Sequence, residues 1–142
     1  MKSRIIVLTL ALFAIIYVLF LFKSPVDPEL QNRIRKVRLT VDNVNSGGCG
    51  YTAKYVKQYL DGKGIESTIV QIDSPFNHFM VEADGTYIDK NGFFSRGYPP
   101  LWNKTYRITL DSLQTILNDS SRWNKRFTRS DTTKLRMILL NN

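Results

Sequence analysis

Two residue types that build many small protein sites are almost missing from this 142-residue chain, which holds one cysteine, Cys49, and one histidine, His78. A single cysteine excludes an internal disulfide framework and any multi-cysteine zinc site. A structural zinc would need carboxylates to complete three or four ligands, so neither a metal nor a cofactor is expected. Acidic residues are also scarce, 12 against 20 Lys and Arg, giving a net charge of +8 and a pI near 9.7. Such a balance suits anionic partners such as nucleic acid, lipid head groups or a cell-wall polymer. The basic residues are scattered, however, in "RIRKVR" (Arg33–Arg38), in "RWNKRFTR" (Arg122–Arg129) and singly. No nucleic-acid motif accompanies them, and the aromatics are not interleaved as stacking platforms, so nucleic acid is not an expected partner. There is no internal repeat, and 43% hydrophobic with 12% aromatic residues excludes a disordered chain.

One long apolar run is present. Ile5 to Phe22, "IIVLTLALFAIIYVLFLF", is 18 residues without a charge, flanked by Lys2 and Arg4 before and Lys23 after. As a helix it would extend roughly 27 Å, close to the ~30 Å hydrocarbon core of a bilayer. It exceeds the usual apolar region of a signal peptide, and no small-residue cleavage site comes after it. Residues 1–23 therefore read as a retained single-pass membrane anchor, with the lipid bilayer as a partner. Lys2 and Arg4 favour a cytoplasmic N-terminus, whereas Lys23, Arg33, Arg35, Lys36 and Arg38 pull the other way. Asp27 and Glu29 offset the nearest of these and tip the reading slightly towards a domain outside the cytoplasm.

Beyond the anchor, residues 24–42 read as a linker and lead-in helix, with Leu30, Ile34, Val37 and Val41 spaced by 4, 3 and 4. Residues 43–142 read as one small domain. A helix is expected around Tyr51–Leu60, with Ala53, Val56, Tyr59 and Leu60 on one face and Gly62 and Gly64 ending it. The β-branched "IESTIVQI", Ile65–Ile72, reads as a strand. "HFMVEA" and "TYIDK" read as two strands of a hairpin turning at Asp84-Gly85. After Gly92 the chain looks looser, with a helix at Leu110–Leu117 and a C-terminal "LRMILL" of open type. The class is α+β, a catalytic-type helix on an antiparallel sheet.

The lone cysteine and histidine fall in places that suit chemistry. Cys49 opens the expected helix, where free N–H groups and the macrodipole stabilise negative charge, and the thiolate is the reactive form of cysteine. Gly47, Gly48 and Gly50 leave space beside the sulfur for a sharp turn and for a substrate main chain. The same N–H groups can hold an oxyanion. In a two-residue hairpin, Ala83 pairs with Thr86, Glu82 with Tyr87, Val81 with Ile88, Met80 with Asp89 and His78 with Asn91. Alternation then sets His78 and Asp89 on one sheet face as diagonal neighbours. A carboxylate there would fix the imidazole tautomer and stabilise the imidazolium, and Asn91 could serve instead.

These residues also carry a resemblance. "GGCGYTAKYVKQYLDGKGI" followed by "HFMVEADGTYIDKNG" resembles the papain-like cysteine hydrolase superfamily, in particular compact transglutaminase-like proteins and peptidases of double-glycine leaders. The resemblance implies a small papain-like domain with Cys49 as thiol nucleophile, His78 as general base and Asp89 as orienting acid. It also implies an amide side chain a few residues before the cysteine to help bind the oxyanion, for which Asn43 and Asn45 are candidates. The implied activity is that of a membrane-anchored cysteine hydrolase or acyltransferase, a protease or amidase acting on a peptide, peptidoglycan or other amide. The other reading is a catalytically inactive, membrane-tethered interaction module with the same fold, binding lipid head groups or a membrane protein.

The anchor reading has a direct check. Fractionated cells should yield the protein in the membrane with Ile5–Phe22 still attached, and a soluble product starting near Lys23 would refute it.

Overall fold

The computed structural model describes residues 27–73, 77–94, 104–119 and 127–141. The apolar run Ile5–Phe22 lies outside them, and among the described residues no helix is long and apolar enough to cross a membrane.

Helix α1 spans Pro28–Thr40. Its start has a local chemical cause: Asp27 caps it by accepting from the Glu29 N–H at 2.9 Å, Pro28 sits in the first turn, and Glu29 complements the dipole. Leu30, Ile34 and Val37 form its buried stripe, continued by Val41. The lead-in segment is thus packed into the same core as the rest of the domain. Arg33 fixes it further by donating to the carbonyls of Ile138, Leu139 and Asn141 at 3.1, 3.2 and 2.9 Å, groups left without helical partners at the end of the last helix.

A tight turn of π type, Val44–Gly48, leads into helix α2, Cys49–Gly62. Seven residues of α2 are buried, among them Thr52, Ala53, Tyr55, Val56, Tyr59 and Leu60. That buried surface is broad because α2 is the central helix, touching the sheet and both later helices. Its end is a Schellman motif: Gly64 has φ +69°, its N–H donates to Asp61 O at 3.0 Å, and the Ile65 N–H donates to Leu60 O at 2.9 Å. Ile65 is thereby drawn into the helix cap. This is why strand β1 runs Thr68–Asp73 rather than starting at Ile65 as the β-branched pattern suggested.

Strands β2 (His78–Ala83) and β3 (Thr86–Asp89) form the expected hairpin. Ala83 pairs with Thr86, Glu82 with Tyr87 and Val81 with Ile88. Asp84 and Gly85 have φ of 48° and 70°, the left-handed pair that a type I′ turn requires. Strand β3 stops one residue short of Lys90, because the Asp89 side chain accepts from the Asn91 N–H at 2.6 Å and turns the chain. Strand β4 (Gly92–Phe94) then pairs back on β3. Strand β5 (Lys104–Ile108) lies at the far edge of the sheet, beside β1.

All neighbours are antiparallel, in the order β4-β3-β2-β1-β5. One face sends Ile69, Phe79, Val81 and Ile88 into the main core with the helices, while Val70, Ile72 and Met80 cluster separately with Tyr87. Helix α3 (Leu110–Asn118) buries Leu113 and Leu117. The C-terminal apolar segment is helix α4 (Arg129–Leu140), opened by a Thr128–Asp131 capping box and burying Leu135 and Leu139. The domain is α+β, with helices packed on a five-stranded antiparallel sheet.

The hairpin turn can be tested by contrast. Nothing lies within 4 Å of a Cβ added at Gly85 or at Gly62, but only Gly85 has φ near +70°. Gly85→Val should lower the stability by about 1–2 kcal/mol or more through backbone strain alone. Gly62→Ala should be neutral or stabilising by up to about 1 kcal/mol. Urea midpoints of the two variants measure both.

Candidate active site

Three elements bring the site together. Cys49 is the first residue of α2, His78 the first of β2 and Asp89 the last of β3. Asp89 is 2% exposed, and a carboxylate so deep must be satisfied by hydrogen bonds or a cation. Its Oδ2 lies 2.8 Å from His78 Nε2. Its Oδ1 accepts from the Asn91 backbone, and the Asn91 side-chain amide approaches Oδ2 at 3.4 Å. With Nε2 committed to Asp89, Nδ1 is the ring nitrogen left for the thiol.

Cys49 stands next to this imidazole, and its Sγ is 4.0 Å from the Asn77 carbonyl oxygen. Burial alone would push the His78 pKa down. The Asp89 carboxylate, which accepts from the ring, and the charge of the nearby Cys49 sulfur overcome that and raise it to about 9. His78 therefore stays imidazolium through neutral pH, facing a sulfur that can carry the opposite charge.

The other expected residues divide. Asn91 is not the partner of His78; it braces Asp89, so the acid and the amide act in series. Asn43 precedes the turn in a left-handed conformation, φ 57°, and its side chain makes no capping bond to the turn. It lines a cavity of about 200 Å³ with Arg38, Asp42, Val44, Lys90 and Asn91. The backbone of Asn45 lies within the turn, and its side chain is outside the described residues.

Gly48 and Gly50 are both buried. The space expected beside Gly48 for a substrate is instead filled by protein: a Cβ there would lie 2.8 Å from the Phe127 ring. Phe127 also stacks on Tyr51, with ring centroids 5.6 Å apart. Gly48 is thus required for packing at the start of α2. Gly47 carries the sharp bend, with φ 115°, a conformation that favours glycine.

Sequence reasoning missed Phe127, Arg38 and Lys90. Lys90 is only 9% exposed and donates to Asn91 Oδ1 at 3.0 Å. Burial lowers its pKa, while the charges of Asp89 and Cys49 act to raise it. A lysine directly after Asp89 was the one available signal. A larger surface groove of about 580 Å³ runs along Lys54, Tyr55, Gln58, Asp61 and Arg136, and none of Cys49, His78 or Asp89 lines it. Among the described residues no group of three His, Cys, Asp or Glu side chains could hold a metal ion.

In chemical terms, the arrangement can hold a thiolate beside an imidazolium, with a buried carboxylate behind it. The chain matches no known protein family, no curated protein and no solved structure.

The raised His78 pKa makes a prediction about stability. A histidine with a folded pKa of about 9 against about 6.5 unfolded stabilises the fold fully below pH ~6.5, and the gain is lost as pH rises through about 9. The unfolding free energy should fall across that window by at most about 3 kcal/mol. His78 is the only histidine, so one imidazole resonance reports it by NMR. Its midpoint should lie near 9 and drop in Asp89→Asn, and an ordinary midpoint near 6.5 would refute the pairing.

Proposed function

We propose that this protein is a membrane-anchored cysteine hydrolase or acyltransferase of papain-like type, with Cys49 as nucleophile, His78 as general base and acid, and Asp89 as the orienting acid. The observation that carries the reading is the 2.8 Å contact between buried Asp89 and His78 Nε2, with the Cys49 sulfur near enough to act on the same imidazole. The α+β framework and the chain order Cys, His, Asp are in keeping with the resemblance.

In this mechanism the Cys49 proton resides on His78, giving a thiolate–imidazolium pair. The thiolate attacks the carbonyl carbon of an amide or thioester, forming the S–C bond. The backbone N–H of Cys49, with the amide of Asn43 or Asn45, stabilises the developing oxyanion. His78 returns its proton to the leaving amine or thiol as the C–N or C–S bond breaks. Water or an amine then attacks the acyl-enzyme, with His78 taking its proton and Cys49 leaving. Ile5–Phe22 would hold the domain at a bilayer, on the side away from the cytoplasm, where peptide or peptidoglycan amides are substrates.

Cys49→Ala should abolish turnover of an amide or thioester substrate found by screening. His78→Ala should nearly match it, because nucleophile and base act as a unit and their losses do not add. Asp89→Asn should be milder but still large. Activity should fall above pH ~9 as His78 loses the proton needed by the leaving group, since its pKa is about 9. Iodoacetamide should label Cys49 well below neutral pH. Full turnover in folded Cys49→Ala, or labelling with the pH profile of an ordinary thiol, would favour the non-catalytic interaction module.

A further inference from the structure

A cavity lined by chain neighbours of Asp89, though by none of Cys49, His78 and Asp89 themselves, has a composition that the mechanism leaves unused. Its walls are the end of α1, the segment before Cys49 and the turn after Asp89: Arg38, Asp42, Asn43, Val44, Lys90 and Asn91. Lys90 is nine-tenths buried, yet its ammonium donates at 3.0 Å to a neutral group, the amide oxygen of Asn91. Arg38 donates to the Asn91 backbone carbonyl, at 3.4 Å. Among the described residues neither cation forms an ion pair with a carboxylate. Arg38 and Lys90 line the space with one exposed acid, Asp42, so the lining is basic, with the charge of Asp89 acting on Lys90 from outside it. A basic, half-enclosed lining favours an anionic guest.

We propose that this cavity binds a carboxylate of the substrate, set close to the scissile bond. The inference rests on the reading of Cys49 as the nucleophile. A small planar anion matches the donors that line the space. The Arg38 fork can take it side-on, Lys90 has two further N–H donors, and Asn43 and Asn91 offer amide N–H groups. The position suits such a role: Lys90 directly follows the orienting acid, Val44 opens the turn that ends at Cys49, and Lys90 lies within the electrostatic reach of the Cys49 sulfur. The carboxylate could belong to a chain end or to an acidic side chain; the site chemistry is the same.

The test uses the full chain in detergent and two alkylating agents that differ in charge, iodoacetate and iodoacetamide, each losing iodide to the Cys49 thiolate. Arg38→Gln and Lys90→Gln should each lower the ratio of iodoacetate to iodoacetamide rates by about tenfold, the loss of one charge-assisted contact. The exposed Lys36→Gln, with the same change in net charge outside the cavity, should leave the ratio unchanged. Arg38 is exposed, so its variant should fold even if Lys90→Gln does not.

N-acetylalanine or N-acetylaspartyl diamide should slow iodoacetamide labelling of the wild type and not of Arg38→Gln. Protection by the first identifies a chain-end carboxylate, by the second a side-chain one. Equal ratios in wild type and Arg38→Gln, an equal loss in Lys36→Gln, or protection by neither compound would overturn the proposal. The catalytic reading is judged separately, by the iodoacetamide rate of the wild type at low pH.

Discussion

The burial of Asp89 is the constraint on which the site depends. A carboxylate 2% exposed loses its hydration, and only close partners can replace it. His78 Nε2, the Asn91 N–H and the Asn91 amide supply them. The Asn91 contacts are local to the turn after β3, and the His78 contact is fixed by the β2–β3 register. Side chains alternate along a strand, so a slip of one residue would move Asp89 to the other face and away from His78. The register is in turn fixed by two left-handed residues at Asp84 and Gly85. A turn several residues from the chemistry thus decides whether the imidazole has a carboxylate behind it.

The position of Cys49 depends on a second set of contacts. Cys49 is placed by α2, and α2 is held at both ends. At its start, Phe127 closes over Gly48 and stacks on Tyr51. Towards its end, Tyr59 donates to Asp27 Oδ2 at 2.6 Å and to Glu29 Oε2 at 3.1 Å, tying α2 to the cap of α1. Lys63 and Arg33 add charge to the same cluster, and together these hydrogen bonds hold the Glu29 carboxyl down at about 2. Arg33 then reaches the carbonyl end of α4. The helix that presents the sulfur is therefore clamped by residues from both ends of the described chain.

Sequence range separates the legible features from the hidden ones. The hairpin was legible because Asp84-Gly85 and the alternation around it are local, and the His78–Asp89 contact comes from counting outward along two adjacent strands. The α1 and α2 helices were legible from apolar spacing. Other features were hidden because their causes are not local. Strand β5 is short, polar and exposed at a sheet edge, so it carries no burial pattern. The start of β1 moved because Ile65 is claimed by the helix cap. Phe127 over Gly48 and Arg38 beside Asn91 join positions far apart in the chain, and no spacing rule reaches them. The three glycines near Cys49 were visible, but their separate uses were not: Gly47 bends the chain and Gly48 makes room for a ring.

A buried acid–imidazole pair is also a poor means of stabilising so small a fold. Removing two polar groups from water costs several kcal/mol, and well-packed apolar side chains of similar volume often do as well or better. On the opposite sheet face the neighbours Phe79 and Ile88 are buried in the apolar core, while on this face the chain places an imidazole and a carboxylate and, one residue later, a nine-tenths buried ammonium. The Asp89 carboxylate and the nearby sulfur raise the His78 pKa to about 9 against the effect of burial, whereas burial lowers that of Lys90 against the charges of Asp89 and Cys49. Clusters of perturbed ionisable groups of this kind gather at functional sites. The arrangement is best understood as serving the Cys49 sulfur, because little else in the domain gains from it.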